Sequence, residues 1–440
     1  MKKKNRNRIS KNKLCYSFVL LAFICFVFLL SNYGGKANSS HGGSSNGKTY
    51  YVATNGSNSS TGSIGSPWAT VQYAGRTARP GDTILVRGGT YNEGEIWLRA
   101  DYGHCGTPGR LLTIKAYPDE TPLFINGNRP FIVECNHIRV EGLHFRNGKD
   151  VSIRGLNRTT IQIVNNTFMG SGYAWDAIGT NGNNILLEGN VCDISGNTVG
   201  TQGHCYYIAH GTNIIVRNNV AKGMTGYGIH VFDQRRSEDP SGFERLIKDV
   251  IIEGNIVSNS QQRAGIILAA YDHARIENVM IRNNIVFNNA ASGIYVPGIA
   301  SNVKVYNNTV YGNKGGAAFF TTGTKREMSV LTIQNNIFDI TGISRLWGFS
   351  HHVVNQHGNP TVSLKNNLYW PKPPKLYNIS DSSSRTGKPL FINPGSQDFH
   401  LQSGSAAIDK GLALTDVPND KDGIRRPVGS AYDIGAYEFH

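Results

Sequence analysis

Apolar and polar residues alternate along most of this chain in short phrases, and helical spacing is absent. One phrase, apolar-x-apolar-x-(Asn or Gly)-Asn, occurs as Ile161–Asn166, Ile185–Asn190, Ile214–Asn219, Val250–Asn255, Val279–Asn284, Val303–Asn308, Leu331–Asn336 and Val362–Asn367, after an opening copy at Ile138–Leu143. Successive second asparagines lie 24, 29, 36, 29, 24, 28 and 31 residues apart. Period-2 alternation makes each phrase a strand with one apolar face. A repeat of this size suits one coil of a solenoid whose loops vary in length. The pattern therefore predicts an all-β chain: a right-handed parallel β-helix solenoid with coils stacked from about residue 84 to 370.

Stacked coils put equivalent residues into columns roughly 4.8 Å apart. Asn166, Asn190, Asn219, Asn255, Asn284, Asn308, Asn336 and Asn367 then form an asparagine ladder. Asparagine tolerates a left-handed turn, and its amide reaches the copies above and below. The column Glu188, Arg217, Glu253, Arg282 alternates in sign and reads as a surface ion-pair ladder. A solenoid also needs covered ends. The stretch Ser66–Ala74 reads as a short N-terminal capping helix, with Ser66 at the N-cap and Pro67 at N1.

The start of the chain is of a different kind. Residues 1–13 hold seven Lys or Arg and no acid, and the apolar run Leu14–Leu30 follows. This is an export signal, expected to be either a cleaved signal peptide within 1–37 or a retained signal anchor holding the protein to a membrane through residues 14–30. The expected location is secreted or cell-surface. A Ser, Gly and Asn-rich linker spans 38–48, the β-helix 49–375, and a closing segment 376–440. Setting aside the basic residues before position 37 reduces the formal charge from +14 to +6. That mild excess suits an acidic polysaccharide partner, and no basic helix or aromatic RNA-binding signature points to nucleic acid. Cys105, Cys135, Cys192 and Cys205 lie beyond the leader at wide spacings in strand-like contexts, where buried free thiols are at least as well supported as disulfides.

Both ends of the β-helix carry a resemblance. Tyr50–Val52, Asn55–Asn58, Gly65–Trp68, Pro80–Ile84 and Gly88–Tyr91 resemble the opening of secreted bacterial β-helix proteins of the pectate-lyase-like and chondroitinase-B-like (alginate-lyase-like) type, with Asn58 where that opening usually has Asp. Asp420–Pro427 and Tyr432–Glu438 resemble their closing segment. The resemblance covers about residues 50–440. It implies the fold and export, and it names no single reaction.

Candidate chemistry lies on a second strand in each coil. With apolar residues inward, two outward columns result: Lys149, Asp176, His204, Tyr227, Ala264, Ser292 and Ser152, Gly179, Tyr207, His230, Ile267, Tyr295. Titratable groups gather on adjacent coils, and the insertion bearing Arg235 and Arg236 leaves the same region. Cleaving a uronate polymer by β-elimination needs a carboxylate neutraliser, a base and a proton donor. The expected catalytic set is His204 or His230 as base, Tyr227 or Tyr207 as donor, and Lys149 with Arg235 as neutralisers, while Asp176, Arg236 and Tyr295 bind substrate. Three alternatives stand beside a lyase. A hydrolase would need a compact aspartate set, and no Asp-Asp pair occurs. An epimerase is suggested by Tyr227–Gln234, which resembles the Tyr-Gly-Phe-Asp-Pro-His-Glu-Gln stretch of alginate epimerases but has His230–Phe232 in place of Asp-Pro-His. The third is a non-enzymatic glycan-binding or structural solenoid. Asp420 and Asp422 before Gly423 are the candidate ligands for Ca²⁺, against the plainer reading of a hydrogen-bonded Asp turn.

Overall fold

The computed structural model describes residues 47–440 except 103–104, 126–130, 147–150, 154–157, 171–175, 197–199, 201, 234–245, 271–274, 297–299, 324–328 and 347. Those residues wind into a right-handed parallel β-helix. The repeat phrases form one face of the coil, and the register runs Ile138, Ile161, Ile185, Ile214, Val250, Val279, Val303, Leu331, Val362 without slippage. A second face is built from short strands directly after each phrase, such as Thr167–Met169 and Val191–Asp193. The third face carries the second-strand phrases. At His204–Arg217 a single strand runs through the corner from the third face into the first. Inward Val, Ile, Leu and Phe side chains are fully buried, with Phe124, Phe145 and Phe168 stacked in a row at centroid separations of 5.5 and 5.1 Å. Parallel pairing extends past residue 375, through Leu376–Tyr377 and Arg385–Thr386.

The asparagine column forms as expected. Each Nδ2 donates to the Oδ1 of the next coil's asparagine at 2.9–3.1 Å, from Asn166 to Asn367, and Asp381 accepts the last bond. The backbone reason differs from the expectation. The left-handed residue is the one before the ladder position: Asn165, Asn218, Asn283, Asn307, Asn335 and Asn366 have φ of 51–58°, and Gly142, Gly189 and Gly254 fill the same place. The Asn-or-Gly choice in the phrase is thus a requirement for positive φ. The charge column also forms, with Arg217 bonded to Glu188 at 2.7 Å and Arg282 to Glu253 at 2.9 Å.

Two expectations are corrected. The capping helix spans Val71–Thr77 and starts from Thr70, whose hydroxyl accepts the Tyr73 N–H. Glu93, far along the chain, accepts the N–H groups of Val71 and Gln72, while Asn58 holds Ala69 and Thr70. These remote partners satisfy the helix start, so Ser66 and Pro67 are left in the preceding turn. The four cysteines are paired, Cys105 with Cys135 and Cys192 with Cys205, at Cα separations of 5.4 and 5.9 Å. Coiling brings them together regardless of sequence spacing.

Residues 387–440 cover the second face. Phe391, Phe399, Leu401, Ile434 and Ala436 pack onto Ile285, Phe287, Ile337 and Leu368. The left-handed asparagines serve here as well: Asn283, Asn307, Asn335 and Asn366 donate to the carbonyls of Asn419, Asp433, Leu412 and Lys410. Among the described residues no helix is long and apolar enough to cross a membrane. The apolar run Leu14–Leu30 lies outside them.

Candidate functional site

The third face aligns the outward column through Ser152, Gly179, Tyr207, His230, Ile267 and Tyr295. Their inward neighbours Ile178, Tyr206, Ile229, Ile266 and Ile294 anchor the strands in the core. Asp176 pairs in register with His204, and the Cys205 N–H donates to the Tyr227 carbonyl. Strand pairing therefore brings His204, Tyr207, Tyr227 and His230 together on one outer face. The Cys192–Cys205 bond secures the residue after His204.

The four rings form a compact cluster. His204 and His230 lie 4.5 Å apart between centroids, Tyr227 is 4.7 Å from His230 and 5.5 Å from His204, and Tyr207 is 5.0 Å from His230. Phe232 stacks on His230 at 4.9 Å. Both histidines are buried, at 3% and 7% exposure, although they point away from the solenoid core. Gly226 makes room for this arrangement, since a Cβ there would sit 2.2 Å from His204 Nδ1.

Hydrogen bonding sets the tautomers. The Tyr227 backbone N–H donates to His204 Nδ1 at 2.8 Å, and His204 Nε2 lies 3.2 Å from His230 Nδ1. A backbone N–H can only donate, so Nδ1 of neutral His204 is an acceptor and Nε2 carries its proton. That proton goes to His230 Nδ1, which places the His230 proton on Nε2. Both lone pairs are then engaged, and the pair ends in one N–H donor. Burial holds both rings neutral. It pushes His204 down to about 3, with the Arg263 charge adding to the effect. His230 is also driven well below the usual histidine range by burial, then by His204 and Arg263.

Arg263 was not among the residues singled out from sequence, yet its guanidinium lies 6.0 Å from the centre of the Tyr227 ring. It sits one position before Ala264 of the outward column, so extending the column by one residue at its start would have found it. Phe232, two positions after His230 on the same strand face, was readable by alternation. Tyr295 lies two coils beyond His230, separated from it in the column by Ile267. It is outside the four-ring cluster and contacts Phe320 instead. Lys149, Arg235, Arg236 and the Asp176 side chain lie outside the described residues.

The Asp420 turn is occupied by its own backbone. Asp420 Oδ1 accepts the N–H groups of Asp422 and Ile424, and Oδ2 accepts that of Glu438. Asp422 receives a bond from His400 at 2.8 Å. With Asp420 engaged in this way, the pair fits a hydrogen-bonded Asp turn better than a calcium loop. Among the described residues no group of three or more His, Cys, Asp or Glu is placed to hold a metal ion.

Comparison with known proteins finds one matching family and several similar chains. Residues 50–336 match the family described as Pel9A-like, right handed beta helix region. A Bacillus subtilis (strain 168) protein, uncharacterized protein YwoF, is 26% identical over 328 residues, which cover 68% of this chain and 63% of that protein. The chain thus spans under two thirds of the curated relative it matches. Among solved structures, pectate lyase Pel9A is 17% identical with a TM-score of 0.49, covering 89% of this chain and 96% of that one. A rhamnogalacturonan lyase is 16% identical with a TM-score of 0.46, covering 73% and 87%. The periplasmic alginate epimerase AlgG is 14% identical with a TM-score of 0.35, covering 68% and 77%.

Proposed function

Because the chain belongs to the Pel9A-like right-handed β-helix family, we propose that it is an exported polysaccharide lyase acting on a uronate polymer at the His204–His230 face. The observation that carries this reading is the buried, uncharged histidine pair on an outward wall, flanked by two tyrosines and an arginine. A core histidine would need no such setting, and an outer strand position is normally solvated. The family's description carries the name Pel9A, which is also that of a solved pectate lyase.

In β-elimination the proton beside the carboxylate is removed, its electron pair forms the carbon–carbon double bond, and the glycosidic C–O bond breaks. The leaving oxygen takes up a proton. The histidine tautomers alter the roles expected from sequence: with both lone pairs engaged, His230 Nε2–H donates a hydrogen bond to the substrate carboxylate and stabilises the charge that develops there. Tyr227 or Tyr207, as a phenolate, takes the proton beside the carboxylate and hands it on to the leaving oxygen, and Arg263 places positive charge near the Tyr227 ring. His204 positions His230. The test is ultraviolet absorbance of an unsaturated uronate after incubating the full chain with pectate, alginate and chondroitin. Product from one of them supports the lyase; binding without product replaces it with a glycan-binding solenoid, and saturated fragments with a hydrolase.

Export is part of the proposal. The basic and apolar N-terminus supports it, and two disulfides suit an oxidising compartment. A C-terminal reporter that works only in the cytoplasm would count against it.

A further inference from the structure

The peptide between Gly226 and Tyr227 sets the polarity of the histidine pair, because its N–H is the donor that leaves the His204 proton on Nε2. A trans peptide is planar, so its carbonyl and N–H point in opposite directions, and whatever holds one aims the other. The Gly226 carbonyl accepts from the Ser260 hydroxyl at 2.8 Å, and the same hydroxyl oxygen accepts the Arg263 backbone N–H at 3.0 Å. Ser260 is buried, on the coil next to that of Tyr227 and His230. It also stands where a second asparagine ladder stops. Two residues past the paired Ser258, Phe287 and Tyr311 lie Ser260, Asn289 and Asn313, at one corner of successive coils. The Ser260 N–H donates to Asn289 Oδ1 and the Asn289 N–H to Asn313 Oδ1, both at 3.0 Å, and Asn289 Nδ2 adds a bond to Asn313 Oδ1 at 2.9 Å. Ser260 keeps the backbone half of this pattern and replaces the amide with a hydroxyl. A hydroxyl donates and accepts at one atom, which lets it hold Gly226 and Arg263 together.

We propose that Ser260 is the positioning residue of the His204–His230 face: by holding the Gly226–Tyr227 peptide it selects the tautomers that make His230 end the pair as a donor. Through the same oxygen it sets the backbone of Arg263, whose guanidinium lies beside the Tyr227 ring. The link runs from the Ser260 hydroxyl to the Gly226 carbonyl, across the peptide to the Tyr227 N–H and His204 Nδ1, and from His204 Nε2–H to His230 Nδ1. Hydrogen bonds in such a chain polarise one another. A peptide turned over would present the Gly226 carbonyl to His204, and a carbonyl only accepts. His204 Nδ1 would then hold the proton, and the pair would end in a lone pair at His230 Nε2, a base in place of a donor. The place of Ser260 in a reaction rests on the reading of this face as a lyase site; its hold on the tautomers does not.

The experiment reads histidine tautomers by nitrogen NMR in the full chain at neutral pH, where burial keeps both rings uncharged. Wild type is compared with Ser260→Ala, Ser260→Thr and Asn313→Ala; His204→Gln and His230→Gln assign the signals, and thermal melting confirms that each variant folds. Wild type should show His204 and His230 protonated at Nε2 alone. Ser260→Ala should give both rings a population protonated at Nδ1 and lower kcat on the cleaved polymer by at least about tenfold, with KM nearly unchanged. Ser260→Thr retains the hydroxyl and should restore the wild-type signals. Asn313→Ala breaks the corner ladder away from the site and should lower the melting temperature without moving them. Wild-type tautomers in Ser260→Ala, an Nδ1-protonated His204 in wild type, or the same change in Asn313→Ala overturns the assignment. Absence of unsaturated product from wild type while the tautomers still follow Ser260 defeats the lyase reading and upholds the positioning role.

Discussion

Two regions bury ionisable side chains, and they do so in opposite ways. At the closing segment Arg426 and Glu438 are fully inaccessible, 2.5 Å apart, with Glu438 also accepting the Val428 and Asp433 N–H groups. Arg426 reaches Asn283 and the Gly435 carbonyl as well. Both members of this pair have an opposite charge and a set of dipoles. At the outer third face, His204 and His230 are buried against each other and the Tyr227 N–H, and burial keeps them neutral. A buried charge with all its partners needs no ligand to explain it. A buried neutral pair on an outer wall that ends in one N–H donor is what the proposed site rests on, and that contrast separates a structural clasp from a candidate site.

The largest effect should come from breaking the clasp. Glu438→Gln leaves the Arg426 guanidinium buried without its counter-charge, and removal of one partner of such a pair costs about 3–5 kcal/mol. Urea unfolding should show this as a lower midpoint, with the uncovered second face exposed before the rest of the solenoid. The double variant Arg426→Met with Glu438→Leu should recover much of the loss. If Glu438→Gln unfolds like wild type, the clasp does not hold the closing segment.

Next in size is the loss of transition-state stabilisation. His230→Phe keeps the ring stack with Phe232 but deletes the terminal N–H. Turnover on the cleaved polymer should fall by about 10²-fold or more, as for removal of a single oxyanion-type donor, and unfolding should lose about 1–3 kcal/mol because the buried His204 Nε2–H loses its acceptor. Gly226→Ala should lower kcat too, because its Cβ would displace His204 and with it the tautomer chain. Wild-type turnover in His230→Phe would return the pair to the structural class.

The sequence made the solenoid legible because its devices repeat. Nine phrases in one register disclose the coil, and the same alignment placed His204, Tyr207, Tyr227 and His230 on one wall. Features that occur once were harder to see. The helix start depends on Glu93, the cysteine pairs depend on how tightly the chain turns between faces, and Arg263 lies just ahead of the aligned column. The sequence offers His204 or His230 as the base, whereas the donor role proposed for His230 rests on the Tyr227 backbone N–H bonded to His204 Nδ1, a contact that no residue identity encodes.

The smallest effect is a change of stability with pH, and it brings the two regions into direct opposition. His204 has a folded value of about 3 against an ordinary 6.5. As pH falls from 6.5 towards 3, the unfolded chain therefore binds a proton that the folded chain refuses, and stability declines by up to about 1.4 kcal/mol per pH unit. Asp433 behaves in reverse. Burial raises it from 3.8 to about 6, against the Asp409 and Phe439 N–H groups that lower it. Between pH 6 and 3.8 the folded chain takes the proton first, so stability gains as pH falls. In wild type the Asp433 gain offsets only part of the His204 loss, to which buried His230 adds. His204→Gln removes the first and should flatten or invert the acid limb of a melting-temperature profile between pH 6.5 and 4, whereas Asp433→Asn should steepen it. Parallel profiles for wild type and His204→Gln over that window would mean that His204 is not held neutral, and the tautomer chain that makes His230 a donor would lose its basis.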